Sequence, residues 1–341
     1  MPASSSASST KSPAKGRSSK TKASPKASPK ATAPEISPDT FPKAVPGSPE
    51  LGLVCITSSP LVRYKTLTRK RLLQMSPEEQ TAALQALYRE NLTRLDQALT
   101  FCYERSIRLY RLPSGLFPFS DMEVGRAVLE EFAEGLRQVG QRSLTLGIRL
   151  VLHPEQFVVL NSDSLTVIEN SITVLSALAY QFDLMGLPQS PWTLMNIHGG
   201  KGARAERMVQ TIRSLPDSIR CRLTLENDEH TYSSAAIAEI CEAAGVPMVF
   251  DAHHHLVHEQ LDSYDNPSVA EALAAARATW EHPEWQLVHI SNGRDALLDP
   301  SHSEVIWNMP QVFWQVPWIE VEAKGKEDAI AKLRQEWLPM V

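Results

Sequence analysis

Between residues 51 and 324 the chain repeats one pattern about eight times: a short, nearly unbroken apolar run, then a longer amphipathic segment. A run that is apolar on both faces suits a strand covered on both sides, as in a parallel sheet packed against helices. Alternation of such strands with helices predicts an α/β architecture. The predicted strands span 51–56, 107–112, 148–153, 192–198, 222–227, 247–252, 286–291 and 319–324. Helices are predicted over 77–104, 123–139, 164–184, 203–215, 234–244, 266–280 and 327–337. In the first of these, Leu84, Leu87, Tyr88, Leu92, Leu95 and Leu99 recur at three-and-four spacing. The connection between the last two strands is irregular and rich in Pro and Trp. About eight strand–helix units predict closure into a (β/α)8 TIM barrel, for which ~250 residues is typical. An open doubly wound sheet would want a Gly-rich phosphate loop after its first strand; Thr57-Ser58-Ser59-Pro60 stands there instead.

Residues 1–50 differ in kind, being dominated by Ser, Ala, Pro and Lys. They cannot bury enough apolar surface to offset ordering entropy, which predicts a disordered basic tail before a 51–341 barrel domain. Eight cations against Glu35, Asp39 and Glu50 leave the tail at about +5 and the remainder at about −10, given the total of −5. Such a tail holds polyanions loosely through counterion release. No apolar run approaches the ~18 residues of a membrane span, and no secretory h-region is seen at the N-terminus. The expected location is cytoplasmic, with nucleoid association when acting on DNA. Cys55, Cys102, Cys221 and Cys241 form no CxxC pair and are expected to be reduced and buried.

The ends of the strands carry the chemistry. In a (β/α)8 barrel, residues at the carboxyl ends of the strands converge on one mouth. Here those ends supply Arg111, His153, His198, Glu226-Asn227-Asp228-Glu229, Asp251 with His253-His254-His255, His289 and Glu322. Clustered carboxylates raise one another's pKa values and cost stability, a penalty that bound cations remove. Mixed carboxylate and imidazole ligation suits Mn²⁺, or Zn²⁺ where nitrogen dominates, with Mg²⁺ a further possibility. The expected arrangement has Glu226 bridging two ions, one held further by His153 and His198, the other by Asp251, His289 and Glu322. A third position would start at His254, with His302 as its partner. Ions grouped in this way activate water and clamp a leaving oxygen in phosphodiester hydrolysis.

These motifs resemble the UV damage endonucleases, metal-dependent TIM-barrel repair enzymes related to endonuclease IV. The resemblance rests on Tyr110-Arg111-Leu112, Ser114, Leu116-Phe117-Pro118, His153-Pro154, Gln156-Phe157, His198-Gly199-Gly200, Leu225-Glu226-Asn227-Asp228-Glu229, Asp251 with His254-His255, His289-Ile290-Ser291 and Val321-Glu322-Ala323-Lys324-Gly325-Lys326-Glu327. It implies incision of DNA immediately 5′ to a bulky lesion, leaving a 3′-hydroxyl and a 5′-phosphate. It implies metal ligands at His153, His198, Glu226, Asp251, His254, His289, His302 and Glu322, the catalytic set being Glu226, Asp251, His289 and Glu322. It also implies a probe pair, Gln156-Phe157, that wedges into the duplex at the lesion, as apolar wedges do at kinked base steps. Four positions depart from the family pattern. Phe157 replaces a Tyr, Leu53 replaces a Tyr, Asp121 stands near an expected His, and Leu287 replaces a lysine that the family modifies to a carbamate ligand.

Damaged double-stranded DNA is therefore the expected partner of a monomeric enzyme. Arg63, Lys65, Arg69, Lys70 and Arg71 are expected phosphate contacts, with Arg111 a further DNA contact. Two other readings are a metal-dependent sugar isomerase or epimerase on a similar barrel, and a damage-binding protein whose cleavage has lapsed.

Overall fold

A computed structural model describes residues 47–338, so the expected tail lies outside the described residues apart from 47–50. Eight parallel strands close into a barrel in chain order: β1 (Glu50–Val54), β2 (Leu109–Leu112), β3 (Arg149–Leu152), β4 (Met195–His198), β5 (Leu223–Glu226), β6 (Met248–Asp251), β7 (Leu287–Ile290) and β8 (Trp318–Val321). Closure is made by β1 against β8, with Glu50 opposite Trp318 and Leu51 opposite Ile319. The chain thus enters the barrel at Glu50, one residue before the predicted start. The other strands are shorter than their apolar runs suggest. Pro191–Thr193, for example, makes a 3-10 turn before β4.

Around the barrel lie α1 (Arg69–Leu73), α2 (Pro77–Glu104), α3 (Glu123–Glu131), α4 (Ala133–Thr145), α5 (Leu165–Leu184), α6 (Ala205–Ser214), α7 (Asp217–Arg220), α8 (Ser234–Ala244), α9 (Ala252–His258), α10 (Pro267–Ala278) and α11 (Lys326–Glu336). The start of α2 is specified locally. Ser76 and Glu79 satisfy each other's backbone N–H in a capping box, and Pro77 opens the first turn. The helix predicted over 123–139 is interrupted at Phe132, whose ring packs edge-on against Tyr88. No Gly or Pro announces that break. The sequence also hid α9, which begins directly after β6 because the Asp251 side chain accepts the His254 N–H at 2.7 Å and caps it. Segment 291–317 holds a 3-10 turn, Gln311–Gln315, and an isolated antiparallel bridge between Gly293 and His302.

Side chains alternate along each strand, so one set meets the helices and the other fills the barrel. The base of the barrel is apolar, with Leu109, Val151, Val249, Leu287 and Trp318 packed with Trp192. At Gly52 the packing excludes any side chain, since a Cβ there would lie 2.6 Å from Leu109. Arg149 is fully buried in this base and donates to the carbonyls of Trp192, Trp285 and Pro191. Higher up the filling turns polar, through Asn196, Thr224, Arg111 and Glu320, and at the mouth it is ionisable. Among the described residues no helix is long and apolar enough to cross a membrane. Cys102 and Cys241 are buried as expected, whereas Cys55 and Cys221 are only half-buried.

Candidate metal centre

Six strands deliver ionisable side chains to the mouth. His198, Glu226 and Asp251 close β4, β5 and β6, His289 lies in β7, and His153 and Glu322 follow β3 and β8 by one residue. Strand register sets their heights, with His198 opposite Glu226 and Asp251 opposite His289. Glu226, 1% exposed, is the hub. Its Oε2 lies 3.2 Å from His153 Nε2 and accepts from Asn196 Nδ2 at 2.6 Å. Its Oε1 faces His289 Nδ1 at 3.1 Å and His254 Nδ1 at 3.2 Å.

Three groups of side chains place their ligand atoms within 4.8 Å of one another: His153, His198 and Glu226; Glu226, Asp251 and His254; Asp251, His289 and Glu322. Glu226 and Asp251 each belong to two groups. The position expected to start at His254 corresponds to the group Glu226, Asp251 and His254, without His302 among its members. As the third residue after Asp251 on a capped helix, His254 turns back to Glu226 and Asp251. His302 instead sits 3.8 Å from Glu322 Oε2, with its ring 6.5 Å from that of His253, and joins none of the three groups. Asp121 is exposed and joins none either.

The electrostatics suit cations. Burial opposes charge on Glu226, but His289 and His198, with His153 and His254, outweigh it and hold this carboxyl well below the usual range. Burial likewise opposes protonation of His289, yet Glu226, Glu320 and Glu322 hold it well above an ordinary imidazole. At His198 burial wins and lowers the pKa, aided by His153 and His254. Asp251 Oδ2 and His198 Nδ1, atoms of two residues of the cluster, are buried without a hydrogen-bond partner. Buried polar atoms are almost always satisfied, so such atoms on a Glu/Asp/His set fit divalent cations. His153 Nδ1 lies 2.9 Å from the Pro154 carbonyl, which orients the ring and turns Nε2 toward Glu226.

Beneath the ligands lies a pair that the sequence reading missed or misplaced. Arg111 is the residue expected as a DNA contact. It is 7% exposed, with Nη2 2.7 Å from Glu322 Oε1 and Nη1 3.3 Å from Glu320 Oε2. Its place on β2, pointing into the barrel, makes it the counter-ion of buried Glu320 and half-buried Glu322. Glu320 in turn lies 2.5 Å from His289 Nε2. Its signal was present in Glu320-Val321-Glu322, since residues two apart on a strand share a face.

On the rim, Phe157 is 66% exposed beside an exposed Gln156, so it is no core aromatic. Gln156, His153 and His198 line a cavity of about 440 Å³ that extends to Lys201 and Asp228. Arg69 and Lys70 are exposed on α1, whereas the Arg63 guanidinium is spent on the carbonyls of Thr57, Ser58 and Val62. The latter braces a loop. Leu53 and Leu287 are both fully buried, Leu287 in the apolar base.

Fold and site together define a (β/α)8 barrel protein whose mouth gathers carboxylates and imidazoles that could hold metal ions. Residues 49–340 match the family described as UV-endonuclease UvdE. The chain is 56% identical over 292 residues to the UV DNA damage endonuclease of Nostoc sp., covering 85% of this chain and 91% of that one. It is 50% identical over 289 residues to the UV DNA damage endonuclease of Deinococcus radiodurans, covering 84% and 95%. In architecture it is similar to the crystal structure of SacUVDE, with a TM-score of 0.72 at 24% identity, covering 85% of this chain and 100% of that one. Endonuclease IV from Thermus thermophilus shares the fold at a TM-score of 0.53 and 14% identity, covering 84% and 97%. The chain belongs to the UV-endonuclease UvdE family.

Proposed function

We propose that this protein is a DNA repair endonuclease that incises the phosphodiester backbone immediately 5′ to UV photoproducts and other helix-distorting lesions, leaving a 3′-hydroxyl and a 5′-phosphate. The observation that carries this reading is the shared use of Glu226 and Asp251 by three ligand groups, beside a rim that presents Phe157 to solvent. Family membership and the activity printed for the Nostoc and Deinococcus relatives support the same substrate. Divalent ions held by these groups, Mn²⁺ in this reading, supply Lewis acidity toward a phosphodiester and lower the pKa of water.

The chain's own groups do the positioning. Glu226, Asp251, His289 and Glu322 form the catalytic set, with His153, His198 and His254 completing the ligands. Arg111 keeps Glu322 at its post through the 2.7 Å ion pair. Gln156 and Phe157 enter the duplex at the lesion, where a damaged step costs less to unstack than a sound one. Arg69 and Lys70 remain available for backbone phosphates. A sugar isomerase reading finds no use for an exposed aromatic at the rim.

The test is a nicking assay with Mn²⁺ on duplexes bearing a cyclobutane dimer, an abasic site or no lesion. Wild type is expected to nick the dimer duplex on its 5′ side, and Glu226→Gln to abolish nicking. Lesion binding without any nick by the metal-loaded wild type would leave a damage-binding protein only.

A further inference from the structure

Asp163, exposed at the edge of the cavity, is met by three cations at once. Lys201 Nζ lies 3.2 Å from its carboxylate, Arg204 Nε 2.9 Å and Arg207 Nη1 3.0 Å. Three cations on one acid leave a local surplus of about +2, on a folded portion whose balance is about −10. A surface ion pair contributes little stability, so stability alone gives no reason to gather three of them.

The loop that carries these cations is firmly built. Fully buried Asn161 accepts the Lys201 N–H at 2.8 Å and donates to the carbonyls of Gly199 and Lys201, both at 2.9 Å. Tyr232, 5% exposed, donates its hydroxyl to the Lys201 carbonyl at 2.8 Å and accepts the Arg204 N–H at 3.1 Å. Gly200 adopts φ +71°, and a Cβ there would fall 2.5 Å from Asn161 Oδ1. The same loop begins directly after His198, and Lys201 lines the cavity that opens at His153 and His198. Lys201 shares that cavity with Glu155, Asp228 and Glu229, while Arg204 and Arg207 lie outside its lining, so the pre-set cations lead away from the cluster on the side of Asp163.

We propose that Lys201, Arg204 and Arg207, gathered by Asp163, form a phosphate-binding strip that seats the DNA backbone beside the metal centre. The proposal rests on the endonuclease reading and locates its backbone contacts on the loop from β4 into α6, a place the sequence reading did not consider. Neutralising a phosphate contact weakens binding to all sequences alike and flattens its salt dependence. Positions that sense the lesion change the ratio of damaged to undamaged binding.

The experiment is fluorescence anisotropy of the metal-loaded protein with undamaged and dimer-containing duplexes, at salt between about 50 and 200 mM. In K201Q/R204Q/R207Q the slope of log K against log salt is expected to shrink by about 2.7, at about 0.9 for each of the three contacts. Both duplexes should weaken by the same factor, with metal content unaltered. Asp163→Asn keeps all three cations and removes the competing acid, so it should tighten both duplexes several-fold. An unaltered slope in the triple variant, or equal or weaker binding by Asp163→Asn, overturns the strip. A wild type that binds duplex but never nicks a lesion defeats the endonuclease reading, while the slopes still decide the strip. A wild type that binds no duplex defeats both.

Discussion

Glu320 Oε2 lies 2.5 Å from His289 Nε2, the two residues being register partners on adjacent strands and both buried at 1% exposure or less. The opposite ring nitrogen, Nδ1, faces Glu226 at 3.1 Å and Glu322 at 3.2 Å. Glu320 therefore stands behind His289 as an opposite charge on its Nε2 side, while Nδ1 is turned to the acids at the mouth. Arg111 completes the bracket from β2.

Carboxylates placed behind metal-bound imidazoles typically account for about 10–100-fold in metal affinity. Glu320→Gln keeps the shape and removes the charge, so Mn²⁺ affinity should fall by a factor in that range. Calorimetric titration measures it. An affinity equal to wild type would reduce Glu320 to packing.

Arg111→Met tests the reassignment of Arg111 from DNA contact to buried counter-ion. Stripping one partner from a buried ion pair costs about 3–5 kcal/mol, so the metal-free variant should unfold at markedly lower denaturant. The salt dependence of duplex binding should not move. A flattened salt slope at wild-type stability would restore the DNA role.

Phe157→Ala should weaken binding to dimer-containing duplex while leaving metal content untouched. Stacking of a base on an aromatic ring contributes about 1–3 kcal/mol, or roughly fivefold to a hundredfold in affinity. Undamaged duplex should be affected far less. Equal losses on both duplexes would make Phe157 a general contact and not a wedge.

The metal-free protein should show a characteristic pH profile. Its fold holds Glu226, Glu320 and Glu322 below their ordinary value of 4.5, and His254 and His289 above their ordinary 6.5. The carboxylates stabilise fully above 4.5 and lose that contribution as pH falls through their folded values. The imidazoles stabilise fully below 6.5 and lose theirs as pH rises through their folded values. The melting temperature after chelation should peak between those limits and decline on the alkaline side. Because ligands bind metal deprotonated, Mn²⁺ should reverse the alkaline decline. Thermal scans with and without Mn²⁺ decide it, and a decline indifferent to metal would speak against ligation by these residues.

Much of the fold was legible because its signals are local. Apolar runs mark β1 to β8, and the Ser76–Glu79 capping box marks the start of α2. His198, Glu226, Asp251, His289 and the residues beside them could be gathered at one mouth because parallel strands all end on the same side. What escaped was set by packing. The break at Phe132 accompanies its contact with Tyr88, and α9 depends on a cap from a residue that also closes a strand. Arg63 and Arg111 look alike in the sequence as free cations. One is consumed by carbonyls of its own loop, the other by Glu320 on β8 and Glu322 just after it.

The sequence by itself determined that eight buried strands alternate with helices and that each of several strands ends in a metal-loving residue, since periodicity and residue chemistry are written along the chain. Only the tertiary structure decided which neighbours those residues meet: that His254 turns to Glu226 while His302 stays with Glu322, and that Glu320 stands behind His289. Barrel closure brings side chains tens of residues apart to within a few ångströms, and at that range the partner, not the residue type, sets charge, orientation and role.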